Sequence, residues 1–153
     1  MTQYPIFFKI THDVRGETFT ARVLTNGRAL MEFEDDAWWC YGVNPGGMAA
    51  DGSSPAEAFS HFRVDLGEIF SDMATQSKTC DEFKRMVQEF VAQEPPKTAN
   101  EWEAARARIR AGETPSDQTI ANLKRVTDTP QIGVVIGAIE EFLPQVDELK
   151  QAA

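Results

Sequence analysis

The chain has 153 residues, of which 42% are hydrophobic and 25% charged, a balance typical of one globular domain and not of a disordered chain. Its formal net charge of −9 argues against direct binding to nucleic acid, because attraction to phosphates needs a basic patch. The two cysteines, Cys40 and Cys80, and the two histidines lack metal-ligand spacing, so we expect no metal site and no cofactor.

The N-terminal segment, MTQYPIFFKITHD, lacks the basic start and the long apolar core of a signal peptide. The sequence also contains no run of about 20 apolar residues of the kind that crosses a membrane. We therefore expect a cytoplasmic protein that makes no membrane contact.

Alternating apolar residues in the first fifty positions predict an antiparallel β-meander. The predicted strands cover about residues 4–11, 18–25, 29–34 and 37–43, with a short fifth strand at 48–50. Asn26-Gly27 lies between two alternating runs and predicts a hairpin turn, and Asp35-Asp36 predicts the next reversal.

From Ser54 onward the apolar spacing becomes helical. Ser54, Pro55 and Glu57 fit a capping box with proline in the first turn. One apolar stripe predicts a helix of about twenty residues: Phe59, Phe62, Leu66, Ile69 and Met73. A sheet with one apolar face needs such a cover. A second capping box, Thr79 with Glu82, predicts the next helix.

Pro95-Pro96 is the clearest boundary in the sequence, because consecutive prolines cannot continue a helix. It divides an α+β domain (1–93) from a helical C-terminal region (94–153) that packs on it or mediates assembly. Capping and stop signals predict the helices of that region: Thr98, Glu101, Gly112, Ser116 and Thr129-Pro130. The last helical stripe would contain Ile132, Val135, Ile136, Ile139, Phe142, Val146 and Leu149. The β-branched patch 132–139 fits a strand as the alternative.

Signals of catalysis are missing from the sequence. No nucleophile elbow is present, and the glycine-rich run GVNPGG (42–47) lacks the lysine of a phosphate loop. We therefore expect a protein that is not an enzyme and has no catalytic residues. A metal-dependent nuclease that uses Asp35, Asp36 or Asp51 is one alternative.

Acidic residues suggest another alternative. Asp65, Glu68 and Asp72 share one face of the first long helix, at spacings of three and four. A solvated helix face explains such a row. The same row would also suit an acidic mimic of nucleic-acid phosphates, which inhibits a DNA- or RNA-binding protein by occupying its groove.

The aromatic run Trp38-Trp39-Cys40-Tyr41 is the best candidate for a binding surface. Strand alternation places Trp39 and Tyr41 on one face and Trp38 and Cys40 on the other. One face should pack under the 59–73 helix, and the other exposes a tryptophan unless the C-terminal helices cover it. Exposed aromatic residues often anchor protein interfaces, so we predict protein binding by Trp38, Trp39, Tyr41 and Met48.

The order of these elements resembles that of the HicB-like antitoxin family over residues 30–73. The matching residues are Trp39 and Tyr41 in the aromatic strand, Pro45-Gly46 in the loop, MAA at 48–50, and DGSSPAEA at 51–58. The resemblance implies a partial RNase H-like α+β domain, a sheet covered by one helix, without that fold's catalytic carboxylates.

The resemblance also implies a function. HicB-like proteins usually bind a small partner toxin, and many carry a C-terminal DNA-binding module. Here the C-terminal part matches neither a ribbon-helix-helix nor a helix-turn-helix signature. We therefore expect a small toxin-like partner protein, or a second copy of the chain in a homo-oligomer.

Overall fold

The computed structural model describes residues 2–139 and 144–153, which form an α+β fold with an open, mostly antiparallel seven-stranded sheet and four helices. The strands are β1 (Gln3–Arg15), β2 (Thr20–Glu34), β3 (Ala37–Asn44), β4 (Ala49–Gly52), β5 (Arg125–Val126), β6 (Gly133–Gly137) and β7 (Asp147–Ala152). The helices are α1 (Pro55–Gln76), α2 (Cys80–Ala92), α3 (Pro96–Arg110) and α4 (Gln118–Ala121). No helix in these ranges is long and apolar enough to cross a membrane.

The long β1–β2 hairpin is the centre of the sheet, whose order is β4-β3-β2-β1-β7-β5. β1 pairs with β2 from Thr20 to Glu32 and so occupies one whole edge of that strand. On the other edge, β6 pairs with residues 22–26 and β3 with residues 28–34. β6 and β3 therefore lie end to end along β2.

Helices cover both faces of the sheet. Phe8 and Phe7 are neighbours in β1 and point to opposite faces, as strand geometry requires. The Phe8 ring packs on Phe62 of α1 at 5.6 Å between centroids, and the Phe7 ring packs on Trp102 of α3 at 5.2 Å. We call these the α1 face and the α3 face; α2 and α4 also contribute to the core of the α1 face.

Side-chain caps begin α1 and α2 where the sequence predicts them. Ser54 Oγ accepts the Glu57 backbone N–H at 3.1 Å, and Thr79 Oγ1 accepts the Glu82 N–H at 3.1 Å. The buried stripe of α1 departs from the prediction in its second half: it contains Phe59, Phe62, Leu66, Phe70 and Ala74. Phe70 is buried in place of Ile69, which is only half-buried, and the Phe70 ring packs on His12 and Phe90.

The predicted hairpin turn at Asn26-Gly27 is wrong, since both residues lie inside β2 and pair with Lys9 and Phe8. Close packing explains the glycine. A Cβ atom on Gly27 would lie 2.2 Å from the Asn44 carbonyl oxygen and 2.3 Å from the Phe8 ring. The reversal at Asp35-Asp36 is confirmed, and both residues have positive φ, 52° and 60°.

The prediction of a wholly helical C-terminal region is also wrong. α3 begins at Pro96 without a side-chain cap, and α4 is capped by Asp117 in place of Ser116. The strand alternative for 132–139 is confirmed by β6, whose β-branched residues pair with the free edge of β2. The sequence of β7, DELKQA, has little strand propensity, but its pairing with β1 overrides it. The predicted position of Phe142 lies outside the described residues.

Candidate functional site

The structure divides the three predicted aromatic residues between the two faces of the sheet, and the fourth predicted binding residue, Met48, packs against the apolar cluster of the α1 face. Trp38 lies on the α1 face, half-buried, with its ring 5.7 Å from Tyr4 and 5.3 Å from Phe33. Trp39 lies beside Tyr41, and Tyr41 belongs to the α3 face. The predicted alternation is therefore observed, and Trp38 does not share a surface with the other aromatic residues.

Tyr41 lines a groove between β3 and the first turns of α3, and Trp39 is stacked on Tyr41. Their rings are stacked, with centroids 5.9 Å apart and planes 15° apart. Two adjoining hollows of about 260 and 290 Å³ share Tyr41 and Thr98. One is lined by Glu32, Glu34, Lys97 and Glu101, and the other by Gly42, Gly47, Met48, Ala49 and Pro95. We call these two hollows, with Trp39, the aromatic groove.

The β3–β4 loop places α3 against β3. Gly46 donates its backbone N–H to the Gln93 carbonyl oxygen at 3.2 Å. A Cβ atom on Gly46 would lie 2.2 Å from Pro95 Cδ, so only glycine allows this close approach. The loop and the α2–α3 linker are therefore in direct contact, and the first turn of α3 lies next to Tyr41.

Arg28 of β2 provides a second anchor for α3. Its buried guanidinium donates to Asn44 Oδ1 at 2.7 Å, to Glu94 Oε1 at 2.7 Å and to Glu103 Oε1 at 3.3 Å. It also lies 4.9 Å from the ring centroid of Trp102. A planar donor group with several fixed acceptors holds the helix at one distance and one angle from the sheet.

The aromatic groove is an acidic environment. Burial, followed by repulsion from Glu34 and Glu101, raises the pKa of Glu32. Burial and the neighbouring Glu34 carboxylate raise the pKa of Tyr41 to about 12. The Tyr41 hydroxyl donates to Glu34 Oε2 at 3.3 Å. Lys97 lies 3.9 Å from Glu101, but its side chain is 90% exposed. Three carboxylates and one solvated lysine leave the groove negatively charged.

The sequence prediction missed the carboxylates of this groove. Sequence reasoning could have identified Glu32, because the predicted reversal at Asp35-Asp36 places Glu32 opposite Trp39, and the structure shows this pairing. Sequence reasoning could not have identified Glu101, because no local signal indicates against which face of the sheet α3 packs. The position of α3 against the sheet depends on Arg28, which lies far from α3 in the sequence.

The carboxylates of the nuclease alternative lie apart from the groove. Asp35 and Asp36 form the exposed β2–β3 turn, and Asp51 is an exposed residue of β4. The Asp51 carbonyl oxygen lies 2.7 Å from His61 Nδ1. Within residues 2–139 and 144–153, no three histidine, cysteine, aspartate or glutamate side chains are grouped to hold a metal ion.

A second polar cluster surrounds His12 at the α1 side of β1. His12 Nε2 lies 2.9 Å from the Arg63 carbonyl oxygen, and burial lowers the pKa of the imidazole. Gly67 allows the close approach of α1, because a Cβ atom there would lie 2.9 Å from His12 Cδ2. Nearby, Arg22 binds Asp13 through two hydrogen bonds of 2.7 and 2.9 Å. These contacts join β1 to α1 and β2, which indicates a structural role.

No protein-family model, curated protein or solved structure matches the chain. The resemblance to HicB-like antitoxins over residues 30–73 therefore stays a prediction, and the geometry of the aromatic groove is the main guide to function.

Proposed function

We propose that the chain is a non-catalytic, antitoxin-like binding protein whose aromatic groove receives a basic segment of a small partner protein. The observation that carries this proposal is the stacked Trp39–Tyr41 pair beside three carboxylates. Aromatic faces attract lysine and arginine cations, and carboxylates accept paired hydrogen bonds from a guanidinium.

Electrostatics favour a cationic occupant over an anionic or a neutral one. The raised pKa values of Glu32 and Tyr41 mean that negative charge is held there at a cost. A bound cation relieves this cost. The net charge of −9 would also steer a basic partner toward the protein at low salt.

The order of elements supports the family part of the proposal. β3, the Pro45-Gly46 loop, β4 and α1 follow one another as the HicB-like resemblance implies, with α1 packed across the sheet. This arrangement suits a partial RNase H-like domain. Residues 17–27 and the C-terminal strands would then be additions to it.

The first test is a pull-down with the product of the adjacent reading frame as the candidate partner. Calorimetry should then compare the wild type with a variant carrying Glu32→Gln, Glu34→Gln and Glu101→Gln. We expect the affinity to fall at least tenfold and the salt dependence of binding to weaken. Failure to find a small basic partner would contradict the proposal.

A matched control neutralises the exposed acidic row of α1, Asp65→Asn, Glu68→Gln and Asp72→Asn. Groove binding predicts no change in affinity for this control. The acidic-decoy alternative predicts the reverse pattern, a loss of affinity in the α1 variant and none in the groove variant. The pair of variants therefore separates the two functions.

A further inference from the structure

The segment between β5 and β6 crosses the α3 face of the sheet. β5 lies beside β7 at one edge, whereas β6 lies beside β2 on the other side of the hairpin. The connecting residues, 127–132, therefore pass over β7, β1 and β2. We call them the strap.

A cavity of about 300 Å³ lies between the strap and the sheet. Its lining residues are Phe7, Phe8, Lys9, Asn26, Gly27, Val126, Pro130, Gln131, Ile132, Glu148 and Lys150. The volume would hold about ten water molecules at ~30 Å³ each, which puts it at the small end of ligand pockets. Its apolar lining includes Phe7, Val126, Pro130 and Ile132.

Contacts at both ends of the strap hold this cavity open. Arg106 of α3 donates to the Thr127 carbonyl oxygen at 3.1 Å, to the Asp128 carbonyl oxygen at 3.2 Å and to Thr129 Oγ1 at 3.0 Å. At the other end, Ile132 packs against the apolar cluster of the α3 face. A pocket held in this way does not have to be ordered when a ligand binds.

Three polar residues form a row across the floor of the cavity. Lys9 of β1 pairs directly with Asn26 of β2 and with Glu148 of β7. Directly opposed residues of neighbouring strands point to the same face, with Cβ atoms about 5 Å apart. Lys9 therefore lies between Asn26 and Glu148 in the row, on the surface that faces the strap.

The charges of this row are unbalanced. Glu148 pairs with Lys150 at 3.3 Å, on the same strand. Among the described residues, Lys9 has no carboxylate within 4.0 Å, and the Asn26 amide makes no hydrogen bond to another side chain or to the backbone. Two lysines and one glutamate leave one positive charge beside apolar walls. This is a local reversal of sign in a chain of net charge −9.

We propose that this cavity binds a small organic acid. Its carboxylate pairs with Lys9 and accepts a hydrogen bond from the Asn26 amide, and its apolar body contacts Phe7, Val126 and Ile132. One unmatched charge suits a monoanion. A phosphate monoester carries about −1.5 to −2 at neutral pH, which is more than the single unmatched positive charge of this lining balances.

The test uses octanoate as the probe and 1-octanol as its uncharged match. Each is titrated into the ¹⁵N-labelled protein, with backbone amide shifts followed by NMR and affinity measured by calorimetry. We expect saturable binding of octanoate, with shifts confined to the strap and to the facing parts of β1, β2 and β7. Binding of octanol should be at least tenfold weaker.

Two variants locate the site. Lys9→Met should weaken octanoate binding at least tenfold and leave octanol binding unchanged. The control, Lys78→Met, changes an exposed lysine whose side chain makes no ion pair with the described residues, and it should bind octanoate like the wild type. Ile132→Trp fills the cavity and should abolish binding of both probes.

The proposal is overturned by scattered or unsaturable shifts, by equal affinity for octanoate and octanol, or by wild-type octanoate affinity in Lys9→Met. Thermal melting of each variant shows whether it is folded. Ile132→Trp tests the location of the site if Lys9→Met does not fold. None of these outcomes depends on the aromatic groove, so they test the cavity separately from the proposed partner binding.

Discussion

The two faces of the sheet are held together by different chemistry. On the α1 face, apolar side chains from β1, β2, α1 and α2 form one large buried cluster. On the α3 face, a much smaller apolar cluster surrounds Trp102, and two buried arginines, Arg28 and Arg106, complete the contacts. Apolar burial stabilises without fixing direction, whereas an arginine with several acceptors fixes distance and angle.

This difference suggests a division of roles. The α1 face buries the larger set of apolar side chains, so we expect it to provide most of the stability. The arginines of the α3 face hold α3 and the strap in place while leaving hollows beside them, namely the aromatic groove and the cavity under the strap. We therefore expect stability to depend mainly on the first face, and both proposed binding sites lie on the second.

The largest expected effect is on the α1 face. Phe62 is fully buried and packs on Phe8 and Phe59. Phe62→Ala should lower the free energy of unfolding by about 3–5 kcal/mol, because it removes a buried ring and leaves a cavity. Urea denaturation followed by circular dichroism measures this. A loss below about 1 kcal/mol would mean that the α1 face is not the main source of stability.

A smaller effect is expected from Arg28→Met on the α3 face. The variant removes three hydrogen bonds and leaves buried Asn44 without one of its partners, so we expect a loss of about 1–3 kcal/mol. The side chains of the partners Glu94 and Glu103 are 49% and 61% exposed, which limits the cost. The control is Glu103→Gln, which should stay within about 0.5 kcal/mol of the wild type. Equal losses in the two variants would contradict the anchoring role of Arg28.

The pH dependence of stability tests the His12 contact between β1 and α1. Burial lowers the pKa of His12 below its ordinary value of 6.5, so the unfolded chain takes up the proton first as the pH falls. The contribution of neutral His12 to the free energy of unfolding is therefore fully present above pH 6.5 and declines below it. Urea unfolding at pH 7.5 and 5.5 should show this loss in the wild type and a smaller loss in His12→Asn. Identical pH profiles would rule out the imidazole as the cause.

The smallest effect is expected in the aromatic groove. Tyr41→Phe removes one hydroxyl, which bonds an exposed carboxylate at 3.3 Å, so the free energy of unfolding should change by less than about 0.5 kcal/mol. Urea midpoints of the two proteins provide the comparison. A loss above about 1.5 kcal/mol would show that the groove is part of the packing and would weaken its assignment to recognition.

Local signals predicted the parts of the fold that depend on local chemistry. The caps at Ser54 and Thr79 satisfy free N–H groups a few residues away, so they can be read directly from the sequence. Gly27 shows the limit: Asn-Gly suits a hairpin turn, yet here the glycine makes room for the Asn44 carbonyl and the Phe8 ring. Its reason is a distant contact, which no local pattern reveals.

β5 and β7, unlike β6, could not be predicted, and the reason is similar. β7 has polar residues suited to a helix, and only the free edge of β1 selects the extended form. For the same reason, only part of the candidate sites could be predicted from the sequence. Trp39 and Tyr41 were identified because alternation is local. Glu101 and the cavity of Lys9 depend on where α3 and the strap cross the sheet.

The late pairing of β1 has a consequence for synthesis on the ribosome. Thr11 and Val146 exchange hydrogen bonds across 135 residues of sequence. The β1–β2 hairpin and α1 emerge first and can collapse together, while the outer edge of β1 and half of β2 remain open until β6 and β7 appear. An open strand edge in a nascent chain invites pairing with other chains. The growing polypeptide is therefore most exposed to aggregation between translation of α1 and of β7.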